Sequence, residues 1–185
     1  MAALLFSLVI VLLVGVGARD QVLLATMVTR QGRRPGLLLV ALVSGIASVA
    51  VAAWASRLIA SSLGVEARML FAAIALAWAG LEMLFARRTT VPAEPTHSLG
   101  AFALVLFAHQ LTDAARFAVL ALAVATQAPL LAAMGGGTAA VALALAGWLG
   151  AEEITALDLA GLRRAIGSVL ILVALVIAVR ALGLS

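Results

Sequence analysis

Apolar residues fill most of the chain in long runs, and short polar segments separate these runs. A membrane-spanning helix needs about 20 apolar residues at about 1.5 Å each, so the pattern predicts six spans. One run without charge extends from residue 117 to 151, too long for one crossing, and Pro129 marks its division. The predicted spans are residues 2–29, 37–61, 67–86, 99–126, 130–149 and 159–182.

Polar groups near the centres of the first and fourth spans suggest that the chain repeats itself. The segments GVGARDQ (15–21) and QLTDAAR (110–116) have similar polar centres about 95 residues apart. Three spans per half is an odd number, so the halves would face opposite ways, as inverted repeats do in secondary transporters. The predicted fold is an all-α polytopic membrane protein with repeats at 1–86 and 99–185 and a cytoplasmic linker at 87–98.

The arginines predict the orientation of the spans. If the N-terminus is outside, the inner loops carry seven arginines and the outer side carries three, which agrees with the positive-inside rule. Both termini are therefore expected outside. The inner arginines would be Arg30, Arg33, Arg34, Arg87, Arg88, Arg163 and Arg164, and the outer ones Arg57, Arg68 and Arg180.

Composition supports a lipid environment and argues against several other classes of protein. The chain is 65% hydrophobic and 11% charged, whereas soluble domains are about 25% charged. The formal net charge is +4, but the twelve basic residues, all arginine, are scattered, so nucleic acid is not an expected partner. Cysteine is absent, so disulfides and thiol chemistry are not expected. The sequence also shows no nucleophile–base set and no metal-ligand cluster, so neither an enzyme nor a cofactor is expected.

The centre of the fourth span holds the strongest candidate for chemistry. On a continuous helix His109, Gln110, Asp113 and Arg116 share one stripe, and Thr112 stands among them in sequence. In one interpretation Asp113 and Arg116 neutralise each other, while the other groups bond a neighbouring helix. In the other, the stripe lines a wet cavity where His109 or Asp113 carries protons. We favour the second, because four polar groups exceed what one ion pair requires.

The first span carries a comparable pair of charges. Arg19 and Asp20 are adjacent, so on a helix they point about 100° apart and pair poorly with each other. Two glycines just before them permit either a local unwinding or a close approach of another helix. We therefore expect Arg19 and Asp20 to meet Asp113 and Arg116 of the other half. Glu82 is expected at the membrane interface rather than in a site, although an acid within the membrane with a functional role stays open.

These features resemble the Gdt-type family of calcium/manganese–proton exchangers, which have six spans in two inverted halves. In that family the first helix of each half carries Glu-x-Gly-Asp-(Lys/Arg)-(Thr/Ser), usually followed by Gln. In the first copy here, Gly17, Arg19 and Gln21 keep the family's residue types. The positions that differ are Gly15, Ala18 and Asp20.

The second copy keeps one family acid in place, Asp113. Gln110 stands at the Glu position, Thr112 at the Gly position and Arg116 at the final Gln position. The resemblance implies manganese or calcium exchanged for protons across a bacterial inner membrane, with Asp113 as the metal ligand. The expected substrate and proton pathway comprises His109, Gln110, Thr112, Asp113 and Arg116 with Arg19, Asp20 and Gln21.

Charge balance leaves other functions open. Asp20 and Asp113 are offset by Arg19 and Arg116, which gives a nearly neutral site, whereas calcium and manganese favour carboxylate oxygens. One alternative is a diverged carrier of another small ion or a zwitterion, since arginine suits carboxylate or phosphate. Another is a non-transporting membrane subunit held by salt bridges. The expected partners are the lipid bilayer, a small inorganic cation and protons, and a homo-oligomer stays open.

Overall fold

The computed structural model describes residues 1–85 and 97–184, of which 87% are helical and none forms a strand. By length and composition, four of the helices could each cross a membrane, and two bent helix pairs could each form a further span. The chain is therefore a multi-pass membrane protein with four to six candidate spans. In chain order the helices are α1 Ala2–Gly15, α2 Arg19–Gln31, α3 Pro35–Ser62, α4 Val65–Phe85, α5 Leu99–Leu111, α6 Ala114–Thr126, α7 Pro129–Leu149, α8 Ala151–Ala156 and α9 Ala160–Ala181.

Four helices agree closely with predicted spans. Helices α3, α4, α7 and α9 match the second, third, fifth and sixth spans to within a few residues. Pro35 and Pro129 begin α3 and α7, because a proline in the first turn loses no helical hydrogen bond. Most of the predicted linker at 87–98 lies outside the described residues, which resume at residue 97.

The first and fourth predicted spans are broken in the middle. Helices α1 and α2 meet at 57°, and α5 and α6 meet at 50°. The first break contains Gly17 with φ 67°, a backbone conformation that glycine adopts without steric cost. The second break falls at Thr112 and Asp113. The prediction of one continuous polar stripe from His109 to Arg116 is therefore wrong, whereas the local unwinding after Gly15 is present.

Each broken helix packs against the long helix of the other half of the chain. Helix α1 packs on α7, α5 packs on α3, and α4 packs on both α6 and α9. Glycines permit close approaches: a Cβ on Gly135 would overlap the carbonyl oxygen of Leu4, and one on Gly80 would lie 2.7 Å from that of Gly167. This packing brings the two helix breaks together inside the bundle.

Candidate functional site

The two helix breaks place charged residues at the start of α2 and α6. Arg19 and Asp20 are the first two residues of α2. Asp113 precedes α6 as its N-cap residue, with an extended backbone and no capping hydrogen bond from its side chain. A helix N-terminus carries a partial positive charge that favours nearby carboxylates. Both acids therefore lie where the backbone stabilises negative charge.

Arg116 connects the two acids. Its Nη1 lies 3.7 Å from Oδ2 of Asp20 and 3.6 Å from Oδ2 of Asp113. Its Nε donates a hydrogen bond of 2.9 Å to the hydroxyl oxygen of Ser48, and Nε2 of Gln110 donates to Oδ2 of Asp20 at 3.3 Å. These five residues, Asp20, Ser48, Gln110, Asp113 and Arg116, are called the central cluster. They join α2, α3, α5 and α6.

The central cluster is buried but incompletely hydrogen-bonded. Asp113 and Arg116 are each 5% exposed. Neither carboxylate oxygen of Asp113 has a hydrogen-bond partner, and Nη2 of Arg116 has none. A cavity of about 20 Å³ borders Asp20, Gln110, Asp113 and Arg116, enough for about one water molecule. Since buried charged atoms without hydrogen-bond partners are costly in a low dielectric, a water or another small ligand in the cavity would stabilise them.

A second cluster forms on the other side of the first helix break. Glu82 of α4 lies between two guanidinium groups, 3.3 Å from Nη2 of Arg19 and 3.1 Å from Nη2 of Arg163. Nη1 of Arg163 also donates to the carbonyl oxygens of Val14 and Val16, at 3.0 and 3.3 Å. Arg163 thus satisfies carbonyls that the end of α1 leaves without a helical partner. Arg19, Glu82 and Arg163 are called the Glu82 cluster.

The Glu82 cluster corrects one expectation. Glu82 has a side chain only 10% exposed and is paired inside the bundle, whereas its position at the membrane interface stays a prediction. Arg19 pairs with Glu82 and not with Asp113, whereas Asp20 pairs with Arg116 as expected. Of the four charges expected to meet between the halves, the structure therefore brings together three.

The remaining predicted site residues lie outside the central cluster. The Gln21 amide spans the first break: Nε2 donates to the Leu143 carbonyl at 3.1 Å, and Oε1 accepts from the Gly17 backbone at 2.8 Å. His109 is half-buried. Thr112 is exposed, and its hydroxyl donates to the backbone carbonyl of His109 at 3.2 Å. The break after α5 turns both away from the cavity.

The cavity offers few ligands for a divalent ion. Within residues 1–85 and 97–184, no group of three or more histidine, cysteine or acidic side chains could hold a metal. The cavity presents two carboxylates, Asp20 and Asp113, with the guanidinium of Arg116 between them. Calcium takes six to eight oxygen ligands. With Arg116 beside both acids, the central cluster has room for about one water-sized species and few oxygen ligands for a divalent cation. Comparison with family models, curated proteins and solved structures finds no match to this chain.

Proposed function

We propose that this protein is a secondary transporter that binds its substrate at the central cluster. The observation that carries the proposal is that two broken helices bring Asp20 and Asp113 to one buried cavity. Helices interrupted at mid-membrane, with charged groups at the interruption, are typical of secondary transporters. Irregular backbone at membrane depth is tolerated where protein or a wet cavity surrounds it.

Contacts between equivalent positions support two inverted halves. Gln21 of α2 donates to the carbonyl oxygen of Leu143 in α7. Arg116, about 95 residues after Gln21, donates to Ser48 in α3, about 95 residues before Leu143. Position 21 thus corresponds to position 116, position 48 corresponds to position 143, and both contacts join one half of the chain to the other. In this proposal six spans form two repeats of three.

The proposed setting is a bacterial inner membrane with both termini outside. This orientation follows from the arginine distribution, which favours it by six to three once Arg163, which pairs with Glu82 inside the bundle, is left out. Reporter fusions after Arg34 should report an inner location, and fusions after Glu66 should report an outer one. The reverse pattern would contradict the orientation and leave the central cluster unaffected.

The proposed reaction is exchange of a cation for protons. The Gdt-type resemblance favours manganese or calcium as the cation. Arg116 already lies within 3.7 Å of both carboxylates and supplies the positive charge that a cation would bring. We infer that the cation and Arg116 compete for Asp20 and Asp113, so that cation binding requires the guanidinium to move away.

A non-transporting membrane subunit is the second candidate function. It is favoured because each acid at the centre of the bundle has an arginine within 4 Å. These pairs are Asp20–Arg116, Asp113–Arg116, Glu82–Arg19 and Glu82–Arg163. A carrier of anions or zwitterions is less well supported, because these three guanidinium groups are already paired with acids of the chain itself.

Flux in proteoliposomes distinguishes these functions. Purified protein is reconstituted with a trapped pH dye, and manganese, calcium, sodium or potassium is added outside. We expect proton movement driven by at least one cation, its loss in Asp113→Asn, and its retention in Thr112→Val. The Thr112 variant is the matched control because this exposed hydroxyl bonds only its own helix. No flux from the folded parent would favour the subunit.

A further inference from the structure

An apolar groove runs along the outside of the bundle between α1 and α9. Its volume is about 510 Å³, within the range of about 300–1,000 Å³ typical of ligand pockets. Exposed side chains form its rims, such as Phe6 on α1 and Val169 on α9, while buried residues such as Leu76 of α4 and Ala121 of α6 form its base. The groove exists because α9 packs closely on α4 but makes few contacts with α1.

The groove has a defined length and direction. Along α9 its lining extends from Ala165 to Ile177, which is about 18 Å at 1.5 Å per residue. One leaflet of a bilayer has a hydrocarbon thickness of about 15 Å. At the Ala165 end, Arg163 is buried, bonds the carbonyl of Val14 and pairs with Glu82, so its guanidinium is already engaged inside the bundle.

Two arginines lie beyond the opposite end of the groove. Arg180 follows Ile177 by three positions and is exposed, so it continues the groove face of α9. Arg68 precedes Ala72 by four positions and continues the groove face of α4. Glu66, the nearest acid in sequence, is exposed and points about 200° away from Arg68 on the helix.

Helix direction places both arginines at the same level. Glu82, near the end of α4, pairs with Arg163, near the start of α9, so the two helices are antiparallel. The start of α4 therefore lies beside the end of α9. Arg68 and Arg180 consequently lie at the same end of the bundle, beyond one end of the apolar groove.

We propose that the groove binds a phospholipid with an anionic headgroup. One acyl chain lies in the groove, and the phosphate contacts Arg68 and Arg180. The occupant follows from charge complementarity: a wholly apolar channel about one leaflet long ends at two guanidinium groups, and arginine suits phosphate geometry. A second copy of the chain would need acidic groups to face these arginines. This site does not depend on the transport proposal.

Binding to defined lipids tests the charge requirement. The full chain, purified in an uncharged detergent, is titrated with phosphatidylglycerol or phosphatidylcholine of the same acyl chains, and bound lipid is counted by native mass spectrometry. We expect phosphatidylglycerol to bind roughly tenfold more tightly. The double variant Arg68→Gln/Arg180→Gln should lose roughly that factor. The control is Arg57→Gln. Arg57 is an exposed arginine of α3, and α3 does not line the groove, so this substitution should leave the affinity for both lipids unchanged.

Filling the groove tests its location. Val173 lines the groove and is 43% exposed, whereas Leu175 is 59% exposed and points about 200° away on the same helix. We expect Val173→Trp to abolish phosphatidylglycerol binding and Leu175→Trp to preserve it. Equal binding of both lipids, or unchanged binding in Val173→Trp, would overturn the proposal. A dimer of the parent that Val173→Trp dissociates would also overturn it, because a second copy would then occupy the groove.

Discussion

The central cluster and the Glu82 cluster begin at neighbouring residues but have opposite compositions. The first contains two carboxylates and one guanidinium, and the second contains one carboxylate and two guanidinium groups. Arg163 in the Glu82 cluster is bound to two backbone carbonyls as well as to Glu82. In the central cluster neither carboxylate oxygen of Asp113 has a hydrogen-bond partner, and Asp113 borders a cavity. Oε1 of Glu82 and Nε of Arg19 also lack hydrogen-bond partners, but the residues of the Glu82 cluster do not line that cavity.

This difference indicates a division of roles between the two clusters. The Glu82 cluster ties α4 and α9 to the end of α1, so we expect it to contribute mainly to stability. The central cluster keeps charged atoms beside free space, so we expect it to contribute mainly to binding and exchange.

The largest expected effect is on stability, from Arg163→Ala. This change leaves Glu82 with a weaker partner and the carbonyls of Val14 and Val16 without a donor. Removing one partner of a buried ion pair costs about 3–5 kcal/mol. We expect a loss of that size in the free energy of unfolding, measured by denaturant titration in detergent micelles. Arg164→Ala, which removes the exposed neighbouring arginine, is the control, and an equal loss in both variants would contradict the role of Arg163.

A smaller loss, with a specific rescue, is expected from Arg116→Gln. The substitution removes the counter-charge of Asp20 and Asp113, but the glutamine amide can still donate a hydrogen bond to Ser48 or to a carboxylate, and Gln110 still donates to Asp20, so we expect a loss of about 2–3 kcal/mol. If cations compete with Arg116, manganese or calcium should restore much of this loss, because a ligand that binds the folded state stabilises it.

The matched variant is Arg163→Gln in the Glu82 cluster. A divalent cation should not restore its stability, because this cluster would still contain Arg19 and one carboxylate. Thermal unfolding midpoints with and without the cation provide the measurement. Equal rescue of both variants, or of neither, would show that the two clusters do not differ in cation binding.

The smallest effect is a coupling energy between individual residues. A double-mutant cycle with Asp20→Asn and Arg116→Gln should give about 1 kcal/mol, since contacting charges are coupled by about 0.5–3 kcal/mol. The corresponding cycle with Arg19→Gln and Asp113→Asn should give a coupling close to zero, because Arg19 pairs with Glu82. The opposite order of the two coupling energies would place Arg19, not Asp20, in the central cluster.

The sequence predicts the unbroken spans well because their signals are local. Apolar length and the prolines at 35 and 129 mark α3 and α7 almost to the residue. Gly15 and Gly17 also indicated that the first span could unwind. The second break carries no glycine or proline, so local pattern extends one stripe from His109 to Arg116 through it. The one available local signal was Asp113 itself, because aspartate is a favoured N-cap residue.

The Glu82 cluster could not be derived from local pattern. Glu82 and Arg163 lie on helices of different halves, and their pairing depends on how α4 packs against α9. A general signal was present, because an ionisable residue within an apolar span requires a partner. The signal indicates that a partner exists but not which residue it is. Local pattern alone therefore does not pair Glu82 with Arg163, which it places in an inner loop.

The division of roles is tested most directly by comparing flux in Asp113→Asn and Glu82→Gln. Each variant is reconstituted at equal amounts of folded protein, and cation-driven proton movement is measured together with the thermal unfolding midpoint. We predict that Asp113→Asn keeps a midpoint close to that of the parent and loses flux. Glu82→Gln should unfold at a lower temperature and transport at the parental rate per folded molecule. Parental flux in Asp113→Asn would contradict the central claim, because the carboxylate beside the cavity would then take no part in transport.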